Sequence, residues 1–168
     1  MSKVSLKDID LLVLDFDGVL TDNKVLLTQD GIEIVICNRS DGLAFDALKK
    51  LNMEVIILST EKNSVVTKRA QKLQVLVRQG INNKLESIKE LAHEKELDLK
   101  RIFYIGNDLN DYAAMQACGF SACPLDSHSK IKEISTFILD TKGGDGVVRD
   151  FVENIIELEI LEILYGEI

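Results

Sequence analysis

Short, continuous apolar segments separated by helical patterns constrain the fold of this chain more than any other feature. The segments span residues 11–14, 55–58, 75–77 and 102–105, with weaker ones at 120–122 and 137–139. A strand that is apolar at every position is buried on both faces, as in a parallel sheet covered by helices. Apolar stripes at helical spacing lie between the segments, for example Val66, Ala70 and Leu73. This order predicts an α/β fold, a three-layer Rossmann-like parallel sheet.

Two segments interrupt the alternation. Residues 21–37 contain two β-branched arms around a Gln-Asp-Gly turn, which predicts a β-hairpin inserted after the first strand and too short to be a cap domain. Residues 146–165 have helical length but are apolar on more than one side, so we expect one helix with a second partner surface. The length of 168 residues and the lack of a linker predict a single domain over 1–168.

Charge and cysteine content disfavour several classes of protein. With 20 Lys and Arg against 28 Asp and Glu, the net charge of −8 disfavours partners such as nucleic acid or an anionic membrane. The three cysteines lack metal-site spacing and indicate reduced thiols. Because no signal-peptide pattern is present and no apolar run approaches the ~20 residues of a membrane span, we expect a cytoplasmic protein.

Two clusters of oxygen-bearing side chains follow predicted strands. Asp15 and Asp17 come directly after the first strand, and Asn107, Asp108 and Asp111 follow the strand at 102–105. Ligands of open α/β sheets bind at the carboxyl ends of the strands, and Mg²⁺ prefers hard oxygen ligands, so the clusters can share one Mg²⁺ ion. Taken alone, the first cluster more often marks a strand end and a turn, and the second suits a loop capping the next helix, with Asp111 as the cap.

Two further groups suit phosphate oxygens. Ser59, with Thr60 beside it, follows the strand at 55–58, and Lys84 begins a predicted helix. A hydroxyl and an ammonium both bind phosphate oxygens. Separately they are uninformative, because such a serine usually caps a helix and such a lysine is usually solvated. In this order, together with the two acidic clusters, they form a specific set.

These residues lie in four sequence motifs, DFDGV, LST, QGINNK and GNDLND, which follow one another along nearly the whole chain. The chain thereby resembles the haloacid dehalogenase superfamily. Within it, the hairpin, the NRSDG segment at 38–42 and KGGDGVVRDF at 142–151 resemble the capless group containing 3-deoxy-manno-octulosonate 8-phosphate phosphatases and nonulosonate 9-phosphate phosphatases. The resemblance implies a Mg²⁺-dependent phosphomonoester hydrolase for a phosphorylated sugar acid in a surface-glycan pathway.

The resemblance also implies roles for individual residues. Asp15 would attack phosphorus to form an aspartyl-phosphate, and Asp17 would act as general acid and base. Mg²⁺ would be bound by the Asp15 side chain, the Asp17 backbone carbonyl and Asn107, while Asp108 and Asp111 would support the metal directly or through water.

The phosphoryl group would be held by Ser59, Thr60 and Lys84, with Lys84 also neutralising the nucleophile. The substrate carboxylate would require a further cation, for which the candidates are Arg39, Lys62, Arg69 and Arg78. The glycine-rich loop at 142–146 could lie at the mouth of the site or simply form a turn. His93 and His128 match no motif, and surface roles are expected for both.

Two departures from the family pattern bear on the substrate. Asn107 stands where these enzymes usually carry an aspartate, so the site loses a negative charge. The same Gly-Asn-Asp pattern resembles the phosphatase-like domain fused to some acylneuraminate cytidylyltransferases, which favours nonulosonates and raises the alternative of a catalytically weak assembly or regulatory partner in that pathway. Residues 59–61 read Ser-Thr-Glu where the octulosonate enzymes tend to have Thr-Gly-Arg, which weighs against the eight-carbon acid.

Assembly is a further expectation from the resemblance. A capless enzyme leaves its cleft open, and in the resembling group the hairpins form a β-barrel at the centre of a homotetramer that closes it. A phosphoacceptor receiver domain is a rival with similar residue types, but the strands at 55–58 and 75–77 do not run into an aspartate. Nucleotide-binding alternatives lack their glycine-rich motifs.

Overall fold

A six-stranded parallel sheet forms the centre of the protein in the computed structural model, which describes residues 4–166. From one edge to the other the strands are β5 (Leu76–Arg78), β4 (Glu54–Leu58), β1 (Leu11–Leu14), β6 (Ile102–Ile105), β7 (Phe120–Cys123) and β8 (Phe137–Ile138). The central strands are fully buried, as their unbroken apolarity requires. The predicted strand at 75–77 is displaced by one residue.

Helices cover both faces of the sheet. Their bounds are α1 (Ser40–Lys50), α2 (Val65–Leu73), α3 (Lys84–Glu94), α4 (Tyr112–Ala117), α5 (Ser129–Ile134), α6 (Val147–Asp150) and α7 (Ile160–Tyr165). Short 3-10 helices lie at Leu6–Asp8 and Leu99–Arg101. Alternate β1 residues enter two separate cores, so Leu12 packs with α1, α2 and α6 while Val13 packs with α3, α4 and α5. The predicted three-layer α/β class is confirmed.

The predicted hairpin follows β1. Its antiparallel strands are β2 (Leu26–Leu27) and β3 (Glu33–Ile34), and an isolated antiparallel bridge between Thr21 and Cys37 closes its base. Both strands are exposed along their length. The hairpin therefore projects from the sheet domain as an apolar arm.

The prediction of one continuous helix over 146–165 is wrong. The chain forms α6, continues as a π-helix at Phe151–Ile155, turns at Glu157 with a φ of 58°, and resumes as α7. The break lets α7 return to α1, where Lys50 Nζ donates to the carbonyls of Ile163 and Leu164. The all-round apolarity of the segment reflects this fold-back.

Along residues 4–166, no helix is long and apolar enough to cross a membrane.

Candidate active site

The predicted site residues meet at the carboxyl-terminal edge of the sheet. Asp15 follows β1, Ser59 follows β4, and Asn107 lies two residues beyond β6. A cavity of about 310 Å³ opens at this point, lined by Asp15, Asp17, Asn23, Ser59, Thr60, Asn107, Asp108, Leu109 and Asn110. Parallel strands end at a common edge, so residues far apart in the chain share one cavity.

Lys84, at the start of α3, is buried and pairs with two carboxylates, of which Asp15 lines this cavity. Its Nζ lies 2.7 Å from Asp15 Oδ1 and 2.6 Å from Asp111 Oδ1. Although burial lowers the pKa of the ammonium, the two carboxylates outweigh that effect and the pKa of Lys84 is raised. The lysine therefore remains charged beside the proposed nucleophile.

The same environment disfavours a second negative charge. Burial, then the nearby Asp111 carboxylate, raise the pKa of Asp15 to about 7, and Lys84 opposes only part of that shift. Two carboxylates that share one ammonium cannot both be fully compensated. Asp15 is thus poised to gain from any additional cation bound in the cavity.

Asp111 organises the loop after β6. Its Oδ1 accepts from Tyr104 Oη at 2.8 Å, and its Oδ2 accepts from the backbone N–H groups of Asn107 at 2.9 Å and Asp108 at 3.3 Å. Although Asp111 precedes α4, its side chain makes no cap hydrogen bond to that helix. With both oxygens engaged, Asp111 can support a metal through the loop and Lys84, while the exposed Asp108 retains freedom to act through water.

The residues around Asn107 fit a magnesium ion. Asn107 Oδ1 is buried and has no hydrogen-bond partner among residues 4–166, which is uncommon for a polar atom in a folded protein. A Cβ on Gly18 would overlap the Asn107 amide, so glycine is required for the close approach of the two segments. Within residues 4–166, no three His, Cys, Asp or Glu side chains converge on a metal position. The site instead offers a carboxylate, an amide oxygen and a backbone carbonyl. These are hard oxygen donors with little total charge, and Mg²⁺ accepts such donors alongside substrate and water.

Asp17 occupies a more accessible position than Asp15. Thr21 Oγ1 donates to Asp17 Oδ1 at 3.3 Å and also accepts from the N–H groups of Gly18 and Asn23. Burial, opposed by the Thr21 hydrogen bond, raises the pKa of Asp17. A half-buried carboxyl with a raised pKa suits proton transfer.

Ser59 faces the cavity from the β4 side. Its backbone N–H donates to the Arg78 carbonyl at 2.9 Å, and its Oγ accepts from the Glu61 N–H at 3.1 Å. The following helix, α2, is preceded by Ser64, so Ser59 is not a helix cap. The exposed Thr60 lies beside it in the cavity wall.

The candidate cations for a substrate carboxylate lie outside this cavity. Arg78 forms ion pairs with Glu94 and Glu90. Arg69 Nη2 donates to the Asn38 carbonyl at 2.8 Å, while its buried Nε has no hydrogen-bond partner within the residues that the structure describes. Arg69, Arg39 and Lys72 line a separate cavity of about 360 Å³ between α1 and α2.

The remaining candidate residues lie at the surface, and two residues of the site were not predicted from the sequence. Lys62 lies near Gly80, His93 is exposed in the last turn of α3, and the ring of His128 caps α5 by accepting from the Lys130 N–H. Sequence reasoning missed Asn23, which lines the cavity; its φ of 61° is a signal only the backbone reveals. It also missed Tyr104, which appeared only as a buried strand residue.

The residues 38–151 match the family model of haloacid dehalogenase-like hydrolases. The chain belongs to the haloacid dehalogenase-like hydrolase family. The match covers the later motifs and begins after the segment with Asp15. The prediction of a haloacid dehalogenase-type enzyme of the phosphatase class is confirmed.

Two curated relatives represent the two groups expected from the motifs. The 3-deoxy-D-manno-octulosonate 8-phosphate phosphatase KdsC of Salmonella typhi is 30% identical over 145 residues, covering 86% of this chain and 77% of that protein. N-acylneuraminate cytidylyltransferase A of Danio rerio is 26% identical over 151 residues, covering 89% of this chain but only 35% of that protein.

Solved structures with the same fold agree with these relatives. A HAD family protein from Streptomyces avermitilis has a TM-score of 0.90 and 36% identity, covering 95% of this chain and 98% of its own. A second structure is the 3-deoxy-D-manno-octulosonate 8-phosphate phosphatase of Moraxella catarrhalis, solved with magnesium, phosphate and KDO. It has a TM-score of 0.85 and 29% identity, and the alignment covers 94% of this chain and 88% of that chain.

Proposed function

We propose that the protein is a cytoplasmic, single-domain, Mg²⁺-dependent phosphatase that cleaves the phosphate ester of a 3-deoxy-2-ulosonic acid through an aspartyl-phosphate on Asp15. The observation that carries the proposal is the buried Asp15–Lys84–Asp111 arrangement beside the unpartnered Asn107 oxygen. A nucleophilic carboxylate, a fixed ammonium and a free oxygen donor are what phosphoryl transfer to an aspartate requires.

The first half-reaction uses Asp15 and Asp17 in different roles. A carboxylate oxygen of Asp15 attacks phosphorus while the bond from phosphorus to the ester oxygen breaks, and the Asp17 carboxyl gives its proton to the departing alkoxide. Lys84 holds the Asp15 carboxylate in place and Ser59 lines the cavity, and both would stabilise phosphoryl oxygens. A bound Mg²⁺ would supply positive charge against the repulsion between carboxylate and phosphate.

The second half-reaction restores the enzyme. Asp17, now ionised, removes a proton from water, whose oxygen attacks phosphorus as the Asp15–phosphorus bond breaks. Inorganic phosphate leaves, and Asp15 is again a carboxylate beside Lys84. The hydrogen bond from Thr21 Oγ1 to Asp17 orients the acid in both steps.

The substrate class rests on the relatives and on the cavity between α1 and α2. The KdsC relatives act on 3-deoxy-D-manno-octulosonate 8-phosphate, and the acylneuraminate relative points to nonulosonate 9-phosphates. The three cations Arg39, Arg69 and Lys72 outnumber the one acidic residue of the lining, Asp46, which leaves net positive charge for a sugar-acid carboxylate. Because that cavity is separate from the catalytic one, we infer that recognition involves a neighbouring protomer, in a homotetramer joined through the hairpins. The enzyme would serve a bacterial surface-glycan pathway.

A second candidate function is a weakly catalytic assembly or regulatory partner in an acylneuraminate pathway. Two observations favour it: Asn107 stands in place of the usual aspartate, and the chain matches one part of a cytidylyltransferase. The Asp15–Lys84 pair argues for catalysis.

Phosphate release with Mg²⁺ tests the proposal. We would assay octulosonate 8-phosphate and nonulosonate 9-phosphates with the wild type and with Asp15→Asn. Turnover of one sugar acid that is lost in the variant supports the proposal and identifies the substrate. If a folded wild type saturated with Mg²⁺ released no phosphate from any of these esters, the result would favour the assembly partner.

A further inference from the structure

The loop at 142–146 packs directly on the segment that follows Asp15. The Gly144 N–H donates to the Val19 carbonyl at 3.0 Å. A Cβ on Gly143 would overlap the Gly18 carbonyl, and a Cβ on Gly18 would overlap the Asn107 side chain. The backbone of Gly143 therefore packs on the backbone of Gly18, and Gly18 packs on the Asn107 side chain, without space for a methyl group at either glycine. A shift of this loop must be transmitted to Gly18, which adjoins Asp17.

The helix that follows the loop, α6, is held by a residue that is distant in sequence. Asp41, in the first turn of α1, is fully buried, and its Oδ1 accepts from the N–H groups of Val148 at 2.9 Å and Arg149 at 3.2 Å. These are N–H groups in the first turn of α6, which have no partner within the helix. The residue before α6, Gly146, has a φ of 97° and no side chain to cap it. Asp41 provides that missing cap.

Considered by itself, the buried Asp41 carboxylate lowers the stability of the folded state. Its Oδ2 is buried without a hydrogen-bond partner in the described part of the chain, and burial raises the pKa of Asp41 to about 6 despite the α6 amides and the charge of Arg69. A buried carboxylate without an ion pair costs free energy. Such unfavourable groups tend to be retained where they fix a functional geometry.

We propose that Asp41 is a positioning residue for the reaction: by holding the first turn of α6, it fixes the loop at 142–146 and thereby the placement of Gly18, Asp17 and Asn107. This inference rests on the proposed function for its effect on turnover. The mechanical link from Asp41 to Gly18 does not, because the contacts exist whatever the substrate.

Two substitutions separate positioning from simple stability. Asp41→Asn keeps an oxygen that can accept from both α6 amides, whereas Asp41→Ala removes the cap. We expect Asp41→Ala, at a temperature where it is folded, to lower kcat by about tenfold or more with a smaller change in KM, since small misplacements of reacting groups are costly. Asp41→Asn should restore kcat to within about threefold of the wild type, since an amide oxygen also caps helices. Glu86→Gln, an exposed change on α3, is the matched control.

Amide hydrogen exchange gives a readout independent of turnover. In Asp41→Ala, exchange should accelerate at residues 143–149 and also at 18–21, with β4 unchanged. The inference would be overturned if the faster exchange were confined to residues 147–149, or if the folded variant kept the wild-type kcat. If the proposed substrates prove wrong, no variant will turn them over, yet the exchange pattern at 18–21 will still support or reject the link.

Discussion

Lys84 Nζ lies 2.7 Å from Asp15 Oδ1, and both side chains are buried. The same ammonium reaches Asp111, which holds the loop carrying Asn107. The catalytic carboxylate and the loop that completes the candidate metal site are therefore joined through one positive charge.

Lys84→Met should leave Asp15 and Asp111 without a counter-charge. We expect kcat to fall by at least about 10²-fold, as for the loss of one preorganised donor to the transition state, and the thermal midpoint to drop. Steady-state assays and thermal unfolding measure both effects. Lys89→Met, an exposed change on α3, is the control, and a Lys84→Met variant with normal kcat would exclude the proposed role.

Asp15→Asn should stabilise the metal-free protein at neutral pH. The pKa of Asp15 rises from an ordinary value of 3.8 to about 7 on folding, so between these values the folded state binds more protons than the unfolded chain. Wild-type stability therefore falls as the pH rises through this window. We expect Asp15→Asn to exceed the wild type by at least about 1 kcal/mol at pH 7 to 8 and to match it near pH 4. Urea unfolding in a chelator measures this, and lower stability of the variant at pH 8 would show that the Lys84 pair outweighs desolvation.

Asn107→Asp should increase the affinity for Mg²⁺. The substitution adds a negative charge where an unpartnered oxygen already lies beside Asp15. We expect the dissociation constant of Mg²⁺, measured by calorimetry without substrate, to fall by at least about fivefold. Asn110→Asp places the same charge elsewhere in the cavity wall, so an equal effect of both changes would argue for general electrostatics and against a ligand role.

The exposed apolar hairpin predicts self-association. Leu26 and Ile34 face one another across β2 and β3, and their exposed fractions are 65% and 47%. Leu26→Glu with Ile34→Lys should convert the proposed tetramer into monomers in sedimentation velocity, because charges replace the apolar contact. Leu76→Glu, on the edge strand β5, should leave the assembly intact. A monomeric wild type at micromolar concentration would reject the proposal.

Arg69→Ala tests recognition of the substrate carboxylate. Its guanidinium donates to the Asn38 carbonyl and lines the cavity between α1 and α2. We expect KM for the sugar-acid phosphate to rise by about tenfold or more, while kinetics on an aryl phosphate without a carboxylate remain unchanged. Arg78→Ala, which removes a residue paired with Glu94, provides the comparison. Equal losses on both substrates would indicate a structural role for Arg69.

The positions of Asp15, Ser59, Lys84 and Asn107 could be predicted because each motif follows a strand or opens a helix. In a parallel sheet, the strand pattern alone brings those ends to one edge. The roles of single groups were less accessible. Asp111 looked equally suited to capping α4, and its engagement with Lys84 and Tyr104 depends on contacts between separate elements.

The sequence by itself determined the layer order, the hairpin and the chemistry available at the sheet edge, because periodicity and motifs are local properties of the chain. The tertiary structure alone decided the break between α6 and α7, the separation of the Arg69 cavity from Asp15, and the cap that Asp41 gives to α6. Asp41 and Val148 are 107 residues apart. Contacts of this kind depend on how elements pack, and no local pattern of residues encodes them.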